Sequence, residues 1–194
     1  MLYRIKGVIL IMFLLLPLTC ASTYTIGSHQ VSFNVSEPYN SSAKIGLPTF
    51  VPEGDSWIYN LEMAAPDDEY IITITVIELP PNGVSSDGWL KTFINSKLEQ
   101  VQKIGLGGHK YSTMDFRGYP AYQESFPAQI VSTTNGSAKY PASHALTYAL
   151  DDRTVVAVIA MGDDLDAPYQ EILDTIEVTE APTKPTKYAP YINQ

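Results

Sequence analysis

Residues 148–178 read YALDDRTVVAVIAMGDDLDAPYQEILDTIEV, and within them the spacing of apolar residues changes from that of a strand to that of a helix. Ala142–Leu150, with its Ala and Leu, and Thr154–Met161, with its Val, Ile and Ala, are apolar runs separated by Asp151-Asp152-Arg153. Apolar runs broken by a short charged turn predict an antiparallel pair of buried strands. After Gly162 the pattern changes: Ile172, Leu173 and Ile176 fall on one helical face, and Pro168 sits where a first helical turn tolerates it. Asp166 is placed to cap that helix. Gly162-Asp163-Asp164-Leu165-Asp166 also gathers three carboxylates ahead of a helix, and Asp163, Asp164 and Asp166 could offer oxygen ligands to calcium. They lack the later Glu of a calcium loop, so the expectation is a solvated loop and no bound metal.

Working outward, Tyr24–Val35 reads as two short strands about Gly27, with Val31, Phe33 and Val35 alternating against Ser32 and Asn34. Ser36–Asp55 is rich in Pro, Ser, Asn and Gly and reads as a loop. Trp57–Met63 and Tyr70–Leu79 flank Pro66-Asp-Asp-Glu69, a turn composition, and so form a hairpin. From Trp89 to Ile104 the period becomes helical, with Leu90, Phe93, Ile94, Leu98 and Val101 on one side, caps available at Ser85, Ser86 and Asp87, and Gly105 as the stop. His109–Phe116 and Tyr119–Phe126 return to strand character. Residues 181–194 have the Pro- and Lys-containing make-up of an extended tail. The fold class is α+β: an antiparallel β-sheet covered by two main helices, in one domain over 22–180.

This order of elements, with VSFNV near the start, the central helix, the RGYPAYQESF strand and the closing strand–turn–strand–helix of residues 148–178, resembles the PsbP-like superfamily over about residues 24–179. The resemblance implies an α/β/α sandwich and a binding or assembly role without catalysis. No functional residue follows from it, because no single motif carries it.

Before this domain, Arg4 and Lys6 precede an unbroken apolar run from Val8 to Leu16, followed by Pro17-Leu-Thr-Cys-Ala21. That is the build of a signal peptide over 1–21, the run being short of the roughly 20 residues a membrane span needs. A cut after Ala21 removes Cys20 and leaves 173 of 194 residues. Retention of the segment as an N-terminal membrane anchor is the alternative, as is a lipid on Cys20, although Thr19 and Pro17 fit a lipoprotein signal poorly. The removed segment carries two cations and no acid, so cleavage takes the net charge from −9 to −11. An acidic chain of this kind disfavours nucleic acid and leaves the N-terminal segment as the membrane contact. Asn34, Asn40 and Asn135 head Asn-x-Ser triplets and are glycosylation candidates, Asn40 and Asn135 in turn-rich surroundings.

Chemical motifs are scarce. His29, His109 and His144 fall on separate strands with no metal-binding spacing. Gly105-Leu-Gly107-Gly108 follows a helix and precedes a strand, the reverse of a phosphate loop. Gly54-Asp-Ser-Trp57 lacks the second glycine of a nucleophile elbow. Tyr111, Phe116, Tyr119, Tyr122 and Phe126 are crowded together, and the even spacing of Phe116 and Tyr122 suggests a shared sheet face that fills a core or binds a sugar or protein groove. The expected function is that of an exported cell-surface or secreted binding or accessory protein, with no catalytic residue and no cofactor, and an envelope protein or a glycan as partner. A carboxylate-based extracytoplasmic hydrolase and a structural envelope component are the alternatives.

Overall fold

The computed structural model describes residues 21–64, 71–104, 107–133, 136–162 and 165–182. Among them, eight strands form one antiparallel sheet. At its centre β12 (Thr154–Met161) lies between β6 (Ile71–Glu78) and β11 (Ser143–Ala149). On the β6 side come β5 (Ser56–Ala64) and then β3 (Lys44–Ile45) and β4 (Thr49–Val51), both paired to β5. On the other side come β8 (Tyr119–Phe126) and the edge strand β7 (Lys110–Phe116). Both faces of β12 are covered, which is why its sequence is a continuous apolar run rather than an alternation.

One face carries α2 (Ser86–Ile104), the helix that the period predicts, begun three residues earlier than Trp89. Ser85 accepts from the Gly88 amide at 3.3 Å and so caps it. The Ser86 amide and hydroxyl bond the carbonyls of Asp152 and Asp151, pinning the helix start to the β11–β12 turn. Leu90 is buried, while Phe93, Ile94, Leu98 and Val101 are half-buried.

The opposite face is covered by α3 (Asp166–Thr175) and by a small sheet in the order β1 (Ser22–Ile26), β2 (His29–Phe33), β13 (Glu177–Glu180). Ile26, Val31 and Phe33 from the small sheet meet Leu61, Ile74, Val158 and Ile172 there in the main core. Burial of these side chains removes apolar area from water at about 25 cal/mol per Å² and holds the layers together. The tight turn between β7 and β8 uses Arg117 at φ 55° and Gly118 at φ 88°, the left-handed pair that matches strand twist.

Several expectations need correction. The segment read as a loop from Ser36 to Asp55 contains α1 (Tyr39–Ser42), β3, β4 and a 3₁₀ turn at Pro52–Gly54, all too short to show a period. The hairpin β9 (Gln129–Thr133) and β10 (Gly136–Tyr140) was not foreseen, since five residues a strand are too few to show a period. Nor was β13, whose four residues follow α3 directly. Asp166 does not cap α3: Leu165 holds that position without a side-chain bond, and the Asp166 carboxylate lies 3.0 Å from His144 Nε2. Phe116 and Tyr122 lie on opposite faces. The turn pairs Phe116 with Tyr119 and Thr113 with Tyr122, so an even separation across it reverses the side. No helix among the described residues is long and apolar enough to cross a membrane. The signal segment with Cys20, the turn at 66–69, Gly105, Asn135, Asp163, Asp164 and the tail from 183 lie outside the described residues.

Candidate functional site

The turn from β1 to β2 comes down onto the end of the main sheet. Gly27 has φ +59°, and a Cβ there would stand 2.7 Å from Glu78 Oε1 and 2.8 Å from the Tyr59 ring, so only glycine permits the approach. Glu78 Oε1 then accepts from the Ser28 amide at 2.7 Å and the Ser28 hydroxyl at 2.6 Å. The buried His29 places Nδ1 3.5 Å from the same oxygen and Nε2 3.4 Å from Thr154 Oγ1. Trp57 and Thr154 oppose Glu78 in register from β5 and β12, so three adjacent strands contribute one row of the floor.

A cleft of about 500 Å³ opens over this row, with Asp55, Leu79, Pro80, Pro81 and Arg153 as its rim. That volume lies in the usual range for small-molecule sites. The rim is held rigidly: Arg153 Nη1 donates to the carbonyls of Gly83 at 2.9 Å and Pro80 at 3.2 Å. The Trp57 ring is fixed by Phe50 on one side, with centroids 5.1 Å apart, and by Tyr59 at 6.5 Å.

Ser28, His29 and Glu78 are residue types that could build a nucleophile, but their arrangement does not. A relay needs the hydroxyl and the acid on opposite nitrogens of the imidazole. Here Ser28 Oγ, at 3.3 Å, and Glu78 both face Nδ1, and the hydroxyl proton goes to the carboxylate. The trio locks a turn, and the cleft is lined by an aromatic ring, two carboxylates and a guanidinium.

The three histidines, scattered in sequence, each meet a carboxylate: His29 with Glu78, His109 with Glu124 at 3.3 Å, and His144 with Asp166. No group of three His, Cys, Asp or Glu side chains converges among the described residues. Of the glycosylation candidates, Asn40 sits on α1, its Oδ1 accepting from the Ser22 hydroxyl at 2.5 Å, whereas Asn34 keeps Oδ1 buried at the end of β2. None of the cleft residues was foreseen as a site. They come from stretches around positions 28, 55, 79 and 153; in the sequence, His29 and Gly54–Trp57 are named only to be set aside as metal ligand and nucleophile elbow.

No family model matches the chain, and no curated protein matches its sequence. Among solved structures, cyanobacterial PsbP (CyanoP) from Synechocystis sp. PCC 6803 aligns with a TM-score of 0.51 and 8% identity, over 84% of this chain and 95% of that one. LpqN, involved in cell envelope biogenesis of Mycobacterium tuberculosis, aligns with a TM-score of 0.40 and 15% identity, over 82% of this chain and 91% of its own. The first match, together with the layer order above, shows that this chain has the PsbP-like fold.

Proposed function

We propose that the protein is an extracytoplasmic accessory module of the cell envelope, exported by its N-terminal segment, that binds a glycan in the cleft over Trp57 and carries out no reaction there. The observation that carries this reading is the composition of a cleft held in place by its own hydrogen bonds. A fixed tryptophan offers an apolar face of the kind that stacks on a sugar ring, and Asp55 and Arg153 place an acceptor and a donor at the rim around it. The polar groups at the floor already satisfy one another, which suits recognition by a preformed surface. The expected fold role of a binding or assembly module agrees with this.

The chain has two tryptophans, so a Trp89→Phe variant leaves Trp57 as the sole indole reporter. Soluble glycan fractions from a cell envelope should then shift its fluorescence saturably, and Trp57→Ala should abolish retention of the protein on the same glycans. Absence of any shift, together with capture of an envelope protein that survives Trp57→Ala, would replace the glycan with a protein partner.

A further inference from the structure

On the far side of the main sheet a second pocket lies beneath α2. The centre of its floor is Ala145, Thr147 and Ala157, and its roof is Trp89 and Phe93, which stack on each other with centroids 5.1 Å apart. Ile77, Ile159 and Met161 complete the lining from the sheet, and about 200 Å³ lies open between it and the half-buried helix side chains. An apolar cavity of about 150 Å³ is enough to take up benzene, so this space suits one ring or a short aliphatic chain.

The wall of this pocket carries Glu124, whose side chain is only 7% exposed. A carboxylate so buried normally holds short, charge-assisted contacts of roughly 2.7–2.9 Å. Glu124 has none among the partners the structure gives it. Lys97 Nζ stands 3.2 Å from Oε1, His109 Nε2 3.3 Å from Oε2 without hydrogen-bond alignment, and the Tyr122 hydroxyl 3.4 Å from Oε2. His109 is itself held elsewhere, flat against Phe126 with centroids 4.2 Å apart. The nearest cation, Lys97, lines the same pocket one helical turn beyond Phe93; its side chain is a third exposed and pairs with Glu124 from the mouth of the pocket.

We propose that this pocket binds a primary ammonium group borne on a small apolar body. The body fills the space between Trp89, Phe93 and the sheet, and the ammonium takes the short contact to Glu124 that Lys97 does not make. Removal of the Lys97 charge relieves a competitor, and the aromatic roof adds attraction for a cation. The same chemistry is offered by a free amine and by a lysine side chain of a partner protein.

Benzylamine, toluene and phenylacetate, titrated into the purified protein while the amide resonances of Thr75, Thr147 and Ala157 are followed, test this. Benzylamine should bind saturably and at least tenfold more tightly than either of the others. Glu124→Gln should erase that preference while leaving toluene binding in place, and Lys97→Met should strengthen benzylamine binding several-fold. Ala157→Met, which fills the pocket, should abolish all three. Tighter binding of phenylacetate, equal binding of benzylamine and toluene, or no binding at all would overturn the proposal. Should Glu124→Gln fail to fold, the ligand series on the unaltered protein and on Lys97→Met decides it. N-acetyl-lysine N-methylamide in the same titration distinguishes the sources: binding tighter than benzylamine assigns the pocket to a partner's lysine, weaker binding to a free amine.

Discussion

Arg117 Nη2 donates to the backbone carbonyl of Leu173 at 2.8 Å, so the turn of the edge hairpin latches the C-terminal end of α3, 56 residues further along. Nη1 of the same residue donates to the carbonyl of Ile176. The last carbonyls of a helix have no intrahelical donor, and a cation beside them also complements the helix dipole. This gives the RGYP segment a structural role: Arg117 supplies the latch, and Gly118 the backbone freedom to aim it.

Arg117→Met keeps an apolar stem beside Phe116 and removes the donors. Because Arg117 is largely exposed, the expected loss is modest, about 1 kcal/mol, or roughly 2–4 °C in melting temperature. Thermal unfolding measures it; an unchanged melting temperature would mean that water replaces the guanidinium at no cost.

Gly27→Ala should be costlier. It places a methyl group into Glu78 and Tyr59 at a left-handed backbone position, and a loss of roughly 2–4 kcal/mol is expected in urea unfolding. The variant should also weaken whatever binds over Trp57, since the same turn positions Glu78.

Burial pushes the hydroxyls of Tyr148 and Tyr169 well above the ordinary tyrosine range. Both stay protonated in the folded chain while unfolded tyrosines ionise from about pH 10, so the unfolded state binds fewer protons and stability falls as pH rises beyond that value. The slope should approach 1.4 kcal/mol per pH unit for each such tyrosine. Tyr169 has no partner for its buried hydroxyl, so Tyr169→Phe should flatten the alkaline loss and leave stability at neutral pH equal or higher. A marked loss at pH 7 would show a bridging water.

Calcium should leave the melting temperature unchanged. Asp166, the described member of the acidic trio, points to His144. A rise of several degrees that Asp164→Ala abolishes would place a calcium site in that loop.

The regular elements were legible because long segments carry their period openly: Leu90 to Val101 at helical steps, and Val155 to Ala160 as a buried strand. β9, β10 and β13 were not, since QIVST, GSAKY and EVTE are too short to show a period and owe their pairing to the strand beside them. The cleft was hidden for a different reason. His29, Glu78 and Thr154 are strangers in sequence, and only the descent of Gly27 onto β6 makes them neighbours. Glu124 likewise looked like one more polar residue of an alternating strand until α2 covered its face.

The small sheet also sets how the domain carries tension. β1 and β13 both run antiparallel to β2, hence parallel to each other, with Ser22 opposite Phe33 at one end and Glu180 opposite His29 at the other. A pull on the residues before Ser22 against those after Glu180 slides the two outer strands in opposite directions along β2. Their ladder bonds lie across the strands, so the load falls on all of them at once instead of peeling them in turn. A domain tethered by its start and tugged by its tail would therefore resist as a shear joint and yield late.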